Sequence, residues 1–376
     1  MELVNFLIEL IDRDNDSFGT FVDNLKNIKK VIIWGTGIAG GMVYDSCKRL
    51  SIPIFAFTDG SGKDYYSRTF CGVTVMDPKD IDADFFVLVE ANVDYDIHKM
   101  LVERKINYSY IDPFYISDYV YGYSNTIKKV YLENKDSIEY LYDILKDEKS
   151  KAVLKNVLIH RAIHKIELLW DVYERNQYFG NDIIQKVKGS FVDCGAYNGD
   201  TLKCFLEQLN GEEYCYYAIE PEEDNFNELK GIANKAQKEF IHLYQVGLWD
   251  EMKDLYFQLD SITGKETGKI IDTPDEENIS IYDKIHVDTI DNIIGGGSVD
   301  YIKMDIEGAE LRALKGGEKT IKNNLPILGI SAYHEMNHLW EVPLMIKKLN
   351  PKYNIFLRHH MWNMVDTVCY GLIDRQ

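Results

Sequence analysis

The chain has 376 residues, of which 45% are hydrophobic and 27% charged, a composition typical of a globular protein long enough for two domains. Its formal net charge of -19 excludes unaided binding to a nucleic-acid backbone as a main function. The six cysteines are scattered without a CxxC pair, which argues against a disulfide framework or a cysteine zinc site. No apolar run is long enough for a membrane span and the N-terminus lacks a basic leader, so we expect a cytoplasmic protein.

The first part of the chain alternates strand and helix patterns. A short helix is predicted over residues 3–12, followed by strands at 31–34, 52–59, 84–91 and 106–112. Such alternation at short intervals is typical of a parallel sheet with crossover helices. We therefore predict a Rossmann-like N-terminal domain over residues 1–120.

This first domain contains a glycine-rich turn, "VIIWGTGIAGG", between its first strand and helix. Gly35, Gly37 and Gly40 satisfy the GxGxxG pattern, and Asp59 ends the next strand, where an acid can contact a ribose. The unit resembles nucleotide-binding N-terminal domains of sugar-modifying enzymes, which implies NAD(H) or a nucleotide-sugar as ligand. The alternative is a structural or dimerising role, because glycines also permit tight packing without a ligand.

Residues 121–180 change to a 3.6-residue period, which predicts two or three helices that link the units. A second α/β unit is predicted over residues 181–376. Its predicted strands are "SFVDCG", "CYYAIEP", "HLYQVGL", "DLYFQL", "DYIKMD", "LPILGISAY" and "YNIFLRH". The polar stretch from 260 to 280 is expected to be a surface loop and a mobile lid.

The second unit opens with a glycine turn that is flanked by acids, "FVDCGAYNGDT". Asp193 and Asp200 stand on either side of Gly195 and Gly199, and would repel a bound phosphate. Glu220 ends the next strand, where an acid can hold a ribose diol. A nucleoside with an ammonium and a sulfonium but no phosphate fits this turn, which predicts S-adenosylmethionine.

Seven blocks in order then make the chain resemble the FkbM-type methyltransferases from roughly residue 136 to 372. They are "NQYFGNDII", "FVDCGAYNGDT", "AIEPEEDNF", "VGLWD", "VDYIKMDIEGAELRALKGGEKTI", "ISAYHE…LWEVPLMIKKLNP" and "LRHH". The resemblance implies a class I methyltransferase fold, so that the whole is α/β, with two Rossmann-like units joined by a helical linker. The implied contacts with S-adenosylmethionine are Asp193, Gly195, Tyr197, Asp200, Thr201, Glu220, Leu248, Trp249 and Asp305. Trp249 flanks the adenine or seals the core.

Methyl transfer to a hydroxyl needs a base within hydrogen-bond reach of the acceptor. The candidates, in order, are His334, His360 and Asp305, since all are expected at strand ends. No metal is expected; an alternative is an oxygen/nitrogen metal site formed by Asp305, His334 and His359. We expect Lys303 to pair with a nearby acid, and His338 to be an exposed helix residue.

The leading hypothesis is an S-adenosylmethionine-dependent O-methyltransferase that acts on a hydroxyl of a sugar, nucleotide-sugar or glycan. The alternative enzyme is an oxidoreductase or epimerase run by the N-terminal domain with NAD(H) or a nucleotide-sugar, although no Tyr-x-x-x-Lys pair with a plausible serine follows its glycine turn. A third hypothesis is a binding protein whose glycine turns serve packing alone. Homo-oligomer formation is left open.

Overall fold

A computed structural model describes most of the chain. The described residues are 2–60, 66–90, 95–111, 116, 120, 125–163, 165–209, 213–236, 238–259, 268–271, 282–362 and 366–374. The chain divides into two compact units. Unit 1 comprises Met1–Glu139, Ala152–Tyr173 and Trp362–Met364, and unit 2 comprises Tyr140–Lys151, Glu174–Met361 and Val365–Gln376.

The helices are numbered along the chain. They are α1 (Leu3–Lys26), α2 (Ile38–Arg49), α3 (Tyr95–Glu103), α4 (Asn125–Glu133), α5 (Lys135–Ile144), α6 (Glu148–Ile163), α7 (Glu167–Trp170), α8 (Asp200–Gln208), α9 (Glu223–Ala233), α10 (Ile290–Ile294), α11 (Glu310–Gly316), α12 (Glu318–Asn324) and α13 (His338–Leu349). The boundary between the two units falls within α5 and α6.

Unit 1 contains a six-stranded sheet. Its strands are β1 (Val31–Trp34), β2 (Ile54–Thr58), β3 (Thr69–Phe70), β4 (Val73–Met76), β5 (Phe86–Glu90) and β6 (Asn107–Ile111), in the order β3-β4-β2-β1-β5-β6. All neighbours pair in parallel except β3 and β4. Alternate residues of β1 enter different apolar clusters, Val31 and Ile33 one, Ile32 and Trp34 the other. The sheet is therefore buried on both faces, as expected for parallel strands.

Unit 2 contains a seven-stranded sheet and a smaller, four-stranded sheet. The strands are β7 (Gly189–Cys194), β8 (Tyr214–Ile219), β9 (Ile241–Tyr244), β10 (Gly247–Leu248), β11 (Lys253–Leu259), β12 (Gly268–Ile271), β13 (Tyr282–Asp288), β14 (Tyr301–Met304), β15 (Ile327–Ser331), β16 (Asn354–His359) and β17 (Thr367–Leu372). The large sheet has the order β16-β17-β15-β14-β7-β8-β9, and the small one β10-β13-β11-β12.

The large sheet is parallel except for β17, which runs antiparallel between β15 and β16. Its order reverses between β7 and β14, because the chain builds outward from β7 to β9 and then returns to the other side of β7. Ligands of open α/β sheets bind outside the carboxyl ends of the strands at such a switch point. Phe191 anchors the core beneath it, with its ring stacked on Tyr216 at 5.1 Å and on Tyr301 at 4.9 Å.

The predicted α/β class is confirmed, as are the four strands predicted in unit 1. Three expectations differ from the structure. Helix α1 continues to Lys26 rather than ending near residue 12, and the chain contains four helices rather than two or three between 125 and 170. Strands β3, β4, β12, β13 and β17 were not predicted. The predicted lid at 260–280 lies outside the described residues except for β12. No helix in the described part of the chain is long and apolar enough to cross a membrane.

Candidate functional site

A cavity of about 660 Å³ lies at the carboxyl ends of the central strands of unit 2. Its lining comes from the turn after β7, the end of β8, β10, and the turn after β14, together with the loop of residues 175–180. This is the place that the strand order predicts for a ligand. The volume is within the usual range for small-molecule sites.

The turn after β7 forms one wall of the cavity. Gly195 has φ +79°, and a Cβ there would lie 1.9 Å from the carbonyl oxygen of Asp305, so only glycine fits. Gly199 is also left-handed and directly precedes α8. Tyr197, Asp200 and Thr201, three of the predicted cofactor contacts, line the cavity from this turn and the first residues of α8.

Glu220, at the end of β8, presents a buried carboxylate to the cavity and is only 7% exposed. Oε2 accepts a hydrogen bond from the backbone N–H of Tyr197 at 2.9 Å, and Oε1 one from that of Glu222 at 3.0 Å. Burial raises the pKa of Glu220 to about 7, although these two N–H groups oppose the shift. The carboxylate is thus fixed in position, and each oxygen keeps capacity for a further donor.

Asp193 differs from the expectation that it faces the ligand. It is fully buried beneath the turn, and its Oδ1 lies 2.9 Å from the ammonium of Lys303. Its Oδ2 accepts a hydrogen bond from the Tyr216 hydroxyl at 2.6 Å. Burial alone would lower the pKa of Lys303, but the carboxylates of Asp193 and Asp305 outweigh it and raise that pKa. Lys303 also donates to the carbonyl of Gly195, so the pair supports the turn from below. The expected pairing of Lys303 with an acid is confirmed.

Asp305 follows β14 and lines the cavity. Its Oδ2 accepts a hydrogen bond from the Tyr178 hydroxyl at 3.0 Å, and its Oδ1 one from the Tyr333 hydroxyl at 3.1 Å. The Nε2 atom of His334 lies 3.3 Å from Oδ1. The side chain is one quarter exposed, and two phenol hydroxyls hold its carboxylate.

His334 itself does not line the cavity. Its Nδ1 lies 2.8 Å from Oε1 of Glu310, and its ring is 8% exposed. Burial would lower the pKa of His334, but the hydrogen bond and charge of Glu310 and the charges of Asp305 and Glu307 raise it to about 9. The ring is therefore an imidazolium at neutral pH, a state that cannot accept a proton. His338, expected on the surface, is 3% exposed and 3.2 Å from Glu310.

The structure places His360 and His359 away from the cavity. Nδ1 of His360 contacts the carbonyl of Glu174 at 2.8 Å, its Nε2 lies 2.9 Å from the Tyr370 hydroxyl, and burial lowers its pKa to about 4. Both nitrogens of this neutral ring make hydrogen bonds within the protein, so His360 has a structural role rather than that of a base. His359 bonds through Nδ1 to Thr367 at 2.9 Å. Among the described residues the acid–histidine group with metal-compatible spacing is instead Asp305, Glu310 and His334.

Leu248 and Ile270 supply apolar surface to the cavity. Trp249, by contrast, is absent from the lining and packs with Leu255 and Val287 in the core cluster of the small sheet. Of the two roles considered for Trp249, sealing the core is therefore the one that its position fits. The backbone explains the difference, because consecutive residues at the end of β10 point to opposite sides.

Residues 193–362 match the family model described as the methyltransferase FkbM domain. The chain carries an FkbM methyltransferase domain. It is an S-adenosylmethionine-dependent methyltransferase. The matched segment includes the glycine turn, Glu220, Asp305 and His334, so the cavity described above lies largely within the FkbM domain.

Solved structures support the fold. The chain is similar to the crystal structure of methyltransferase FkbM from Methylobacillus flagellatus KT, with a TM-score of 0.70 at 20% identity over 98% of this chain and 100% of that one. Fibrillarin of Aeropyrum pernix with bound S-adenosyl-L-methionine (TM-score 0.30, 7% identity, 50% and 67% covered) and an rRNA methylase of Streptococcus thermophilus (0.30, 15%, 56% and 94%) are too distant to carry an argument. No curated protein matches the chain.

The residues of the FkbM domain fit S-adenosylmethionine. The cradle at Gly195 would be filled by any Cβ, and Glu220 offers fixed acceptors for hydroxyl donors. Carboxylates line the cavity, which suits a cationic, phosphate-free nucleoside. When bound, this cofactor supplies an electrophilic methyl group.

Three groups at the cavity were not among the predicted site residues. The segment 175–180 lines the cavity, and its Tyr178 donates to Asp305. Glu307 also lines it, from a left-handed backbone position with φ +54°. Glu310 is fully buried behind the site. The blocks "NQYFGNDII" and "VDYIKMDIEGAELRALKGGEKTI" contain Tyr178, Glu307 and Glu310, so the signal was present without an assignment.

The glycine turn of unit 1 has a different environment. The Asp59 carboxylate accepts hydrogen bonds from the backbone N–H and hydroxyl of Thr36, at 2.9 and 2.6 Å. The Glu90 carboxyl lies against Gly35, 2.8 Å from where a Cβ would stand, and burial raises its pKa to about 7. Gly40 packs on Gly35, and Gly37 faces open space. An acid beside the turn disfavours a pyrophosphate, so these contacts lend no support to the predicted NAD(H) or nucleotide-sugar ligand.

Proposed function

We propose that the domain transfers the methyl group of S-adenosylmethionine to a hydroxyl of a sugar, nucleotide-sugar or glycan, and that Asp305 receives the hydroxyl proton. The observation that carries this proposal is the position of Asp305. Of the three candidate bases it is the one that lines the cavity, at the carboxyl end of the strand next to the switch point. His334 lies behind it and His360 elsewhere.

The acceptor class is supported by the character of the cavity wall. The carboxylates of Asp200, Glu222 and Glu307 line the cavity together with Glu220 and Asp305. Ionised carboxylates accept hydrogen bonds and donate none, so they suit a ligand that is rich in hydroxyl donors. An alcohol is a weak nucleophile, and a positioned base that removes its proton as the bond forms accelerates the transfer.

In the proposed mechanism the chain orients the reactants and holds the proton. The Tyr178 and Tyr333 hydroxyls fix both carboxylate oxygens of Asp305, so that the group is oriented before a substrate arrives. Glu220 and the turn at Gly195 hold the nucleoside, with Leu248 and Ile270 as apolar neighbours. The proton of the acceptor hydroxyl moves to a carboxylate oxygen of Asp305.

The test is Asp305→Asn, assayed by uptake of labelled methyl from S-adenosylmethionine into a panel of sugars, sugar nucleotides and glycans. We expect kcat to fall by about 10²–10⁴-fold, the range for loss of a general base. Binding of S-adenosylhomocysteine, measured by calorimetry, should be retained. Asp224→Asn, at an exposed position of α9, is the matched control. An unchanged rate in Asp305→Asn removes the base assignment, and a methylated nitrogen or carbon in the product rejects the hydroxyl acceptor.

A further inference from the structure

Glu310 is a fully buried carboxylate that contacts neither the cavity nor solvent. It begins α11, and its Oε1 reaches back to the backbone N–H groups of Ile306 at 3.0 Å and Gly308 at 3.5 Å. Those residues belong to the turn that carries Asp305 and Glu307. A buried carboxylate is tolerated only where donors or cations compensate it, so these contacts make the turn and Glu310 depend on each other.

The same carboxylate holds two histidines. Oε1 lies 2.8 Å from Nδ1 of His334, in the segment after β15, and Oε2 lies 3.2 Å from Nδ1 of His338, at the start of α13. The two histidines strongly lower the pKa of Glu310, although burial opposes them. Glu310 therefore joins the turn after β14 to the segment between β15 and α13 through one charge.

The free edge of the His334 ring points at the cavity wall. Its Nε2 is buried and makes no hydrogen bond; Oδ1 of Asp305 lies 3.3 Å from it and Oε2 of Glu307 lies 3.5 Å from it. Both of these carboxylates line the cavity. Glu307 also holds a left-handed backbone conformation, which a non-glycine residue keeps only where its surroundings enforce it.

We propose that Glu310 and His334 are positioning residues for methyl transfer. Glu310 orients the imidazolium of His334. The Nε2–H of His334 in turn keeps the carboxylates of Asp305 and Glu307 in the orientation that the acceptor hydroxyl requires. This inference rests on the proposed function, because it assigns the pair a task in the same reaction. It also changes the role of His334 from base to support.

The two roles of His334 predict opposite pH dependences. The groups that face the ring are Asp305 and Glu307 from the turn after β14, Glu310 from α11, the neighbouring Tyr333, and Asp366, directly before β17. His338 from α13 contacts the other oxygen of Glu310. Since the pKa of His334 is raised to about 9, the ring is charged below that pH and neutral above it. A positioning imidazolium makes kcat fall as the pH rises through about 9. A base would make kcat rise there.

The experiment measures kcat against pH for the wild type, Glu310→Gln and His334→Gln. The control is His286→Gln, since His286 makes an exposed ion pair with Asp254. We expect kcat to fall about 10- to 100-fold in both variants, as for small misplacements of a reacting group. The alkaline limb should move to lower pH in Glu310→Gln and vanish in His334→Gln. KM and the affinity for S-adenosylhomocysteine should stay near those of the wild type.

Two further measurements keep the outcome decisive. The pKa of His334 is read by NMR titration, which needs no acceptor; a value near 6.5 in the wild type, or one unchanged by Glu310→Gln, overturns the proposal. A merely structural role would reduce kcat equally at all pH values and weaken S-adenosylhomocysteine binding. A rising limb near pH 9 would restore His334 as the base. If the wild type binds S-adenosylhomocysteine but methylates no hydroxyl, the proposed function fails while the titration still tests the pair.

Discussion

Carboxylates of the same chemical type have different roles in unit 2 because their neighbours differ. Asp193 is paired with the Lys303 ammonium beneath the turn after β7. Glu220 is held by two backbone N–H groups, and Asp305 is held by two phenol hydroxyls. Glu310 is buried against two histidines. Their positions at strand ends predicted all but Glu310 as site residues. The sequence could not distinguish Asp193, which lies beneath the turn, from the acids that line the cavity.

The pKa of Glu220 leads to a prediction at this residue scale. Ribose hydroxyls are held best by the ionised carboxylate, and burial raises its pKa to about 7 in the ligand-free protein. Affinity for S-adenosylhomocysteine should therefore weaken as the pH falls below about 7, and calorimetry at several pH values measures this. Glu220→Gln should bind about tenfold or more weakly and lose the pH dependence, since a hydrogen bond to a charged group is removed.

The control for that measurement is Glu228→Gln, an exposed residue of α9. Its affinity and pH dependence should equal those of the wild type. If Glu220→Gln binds with unchanged affinity, Glu220 does not hold the ribose.

At the scale of elements, the turn after β7 requires glycine because the adjoining strands β7 and β14 end at the same level. The carbonyl of Asp305, after β14, passes so close to Gly195, after β7, that no side chain fits between them. Gly231, within α9, has no heavy atom within 4 Å of its Cβ position and an ordinary φ. The two glycines thus provide a matched pair of substitutions.

We predict that Gly195→Ala destabilises the chain by about 2–5 kcal/mol, because it combines a left-handed φ with overpacking against backbone. Gly231→Ala should instead stabilise by about 0.5–1 kcal/mol, the usual gain for alanine in a helix. Denaturant unfolding of both variants measures these changes. Equal stabilities for the two variants would mean that the turn can relax away from Asp305.

Two of the strands that were not predicted, β17 and β13, were missed for physical reasons. Strand β17 follows residues outside the regular strand–helix alternation and inserts antiparallel between β15 and β16, a placement that depends on its partners. Strand β13, "YDKIHVD", is half polar and pairs in the small sheet rather than in the large one. Their propensity alone was weak, because strand formation depends on neighbours more than on intrinsic preference.

At the scale of the whole molecule, unit 2 is not one continuous segment. It includes residues 140–151 as well as 174–361. Arg358, 1% exposed on β16, donates to Asp147 at 2.7 Å, to Ser150 at 3.0 Å and to Asp182 at 2.8 Å. The predicted boundaries at 120 and 180 stay predictions, yet a cut at 180 would remove two of these three partners from a buried guanidinium.

We therefore predict that a fragment of residues 181–376 lacks a cooperative thermal transition and shows no shift with S-adenosylhomocysteine. It loses Asp147 and Ser150, two of the three partners of Arg358, and the cavity wall at 175–180. Removing partners from a buried charge costs about 3–5 kcal/mol. A fragment of residues 140–376 retains both and should melt cooperatively at a higher temperature in the presence of that ligand. Cooperative melting of the shorter fragment would show that Arg358 finds compensation elsewhere.

The sequence by itself determined the α/β class, the two glycine turns, most strand positions, and the residues that end strands at the cavity. These follow from local patterns, because apolar runs, glycine spacing and acids at strand ends lie close together along the chain. Only the tertiary structure decided which of those residues meet. It placed His334 beside Asp305, His360 in the core, Trp249 in the apolar cluster of the small sheet, and Glu310 between the turn after β14 and His334. Such contacts join residues from different strands and helices, and burial then sets their charge states.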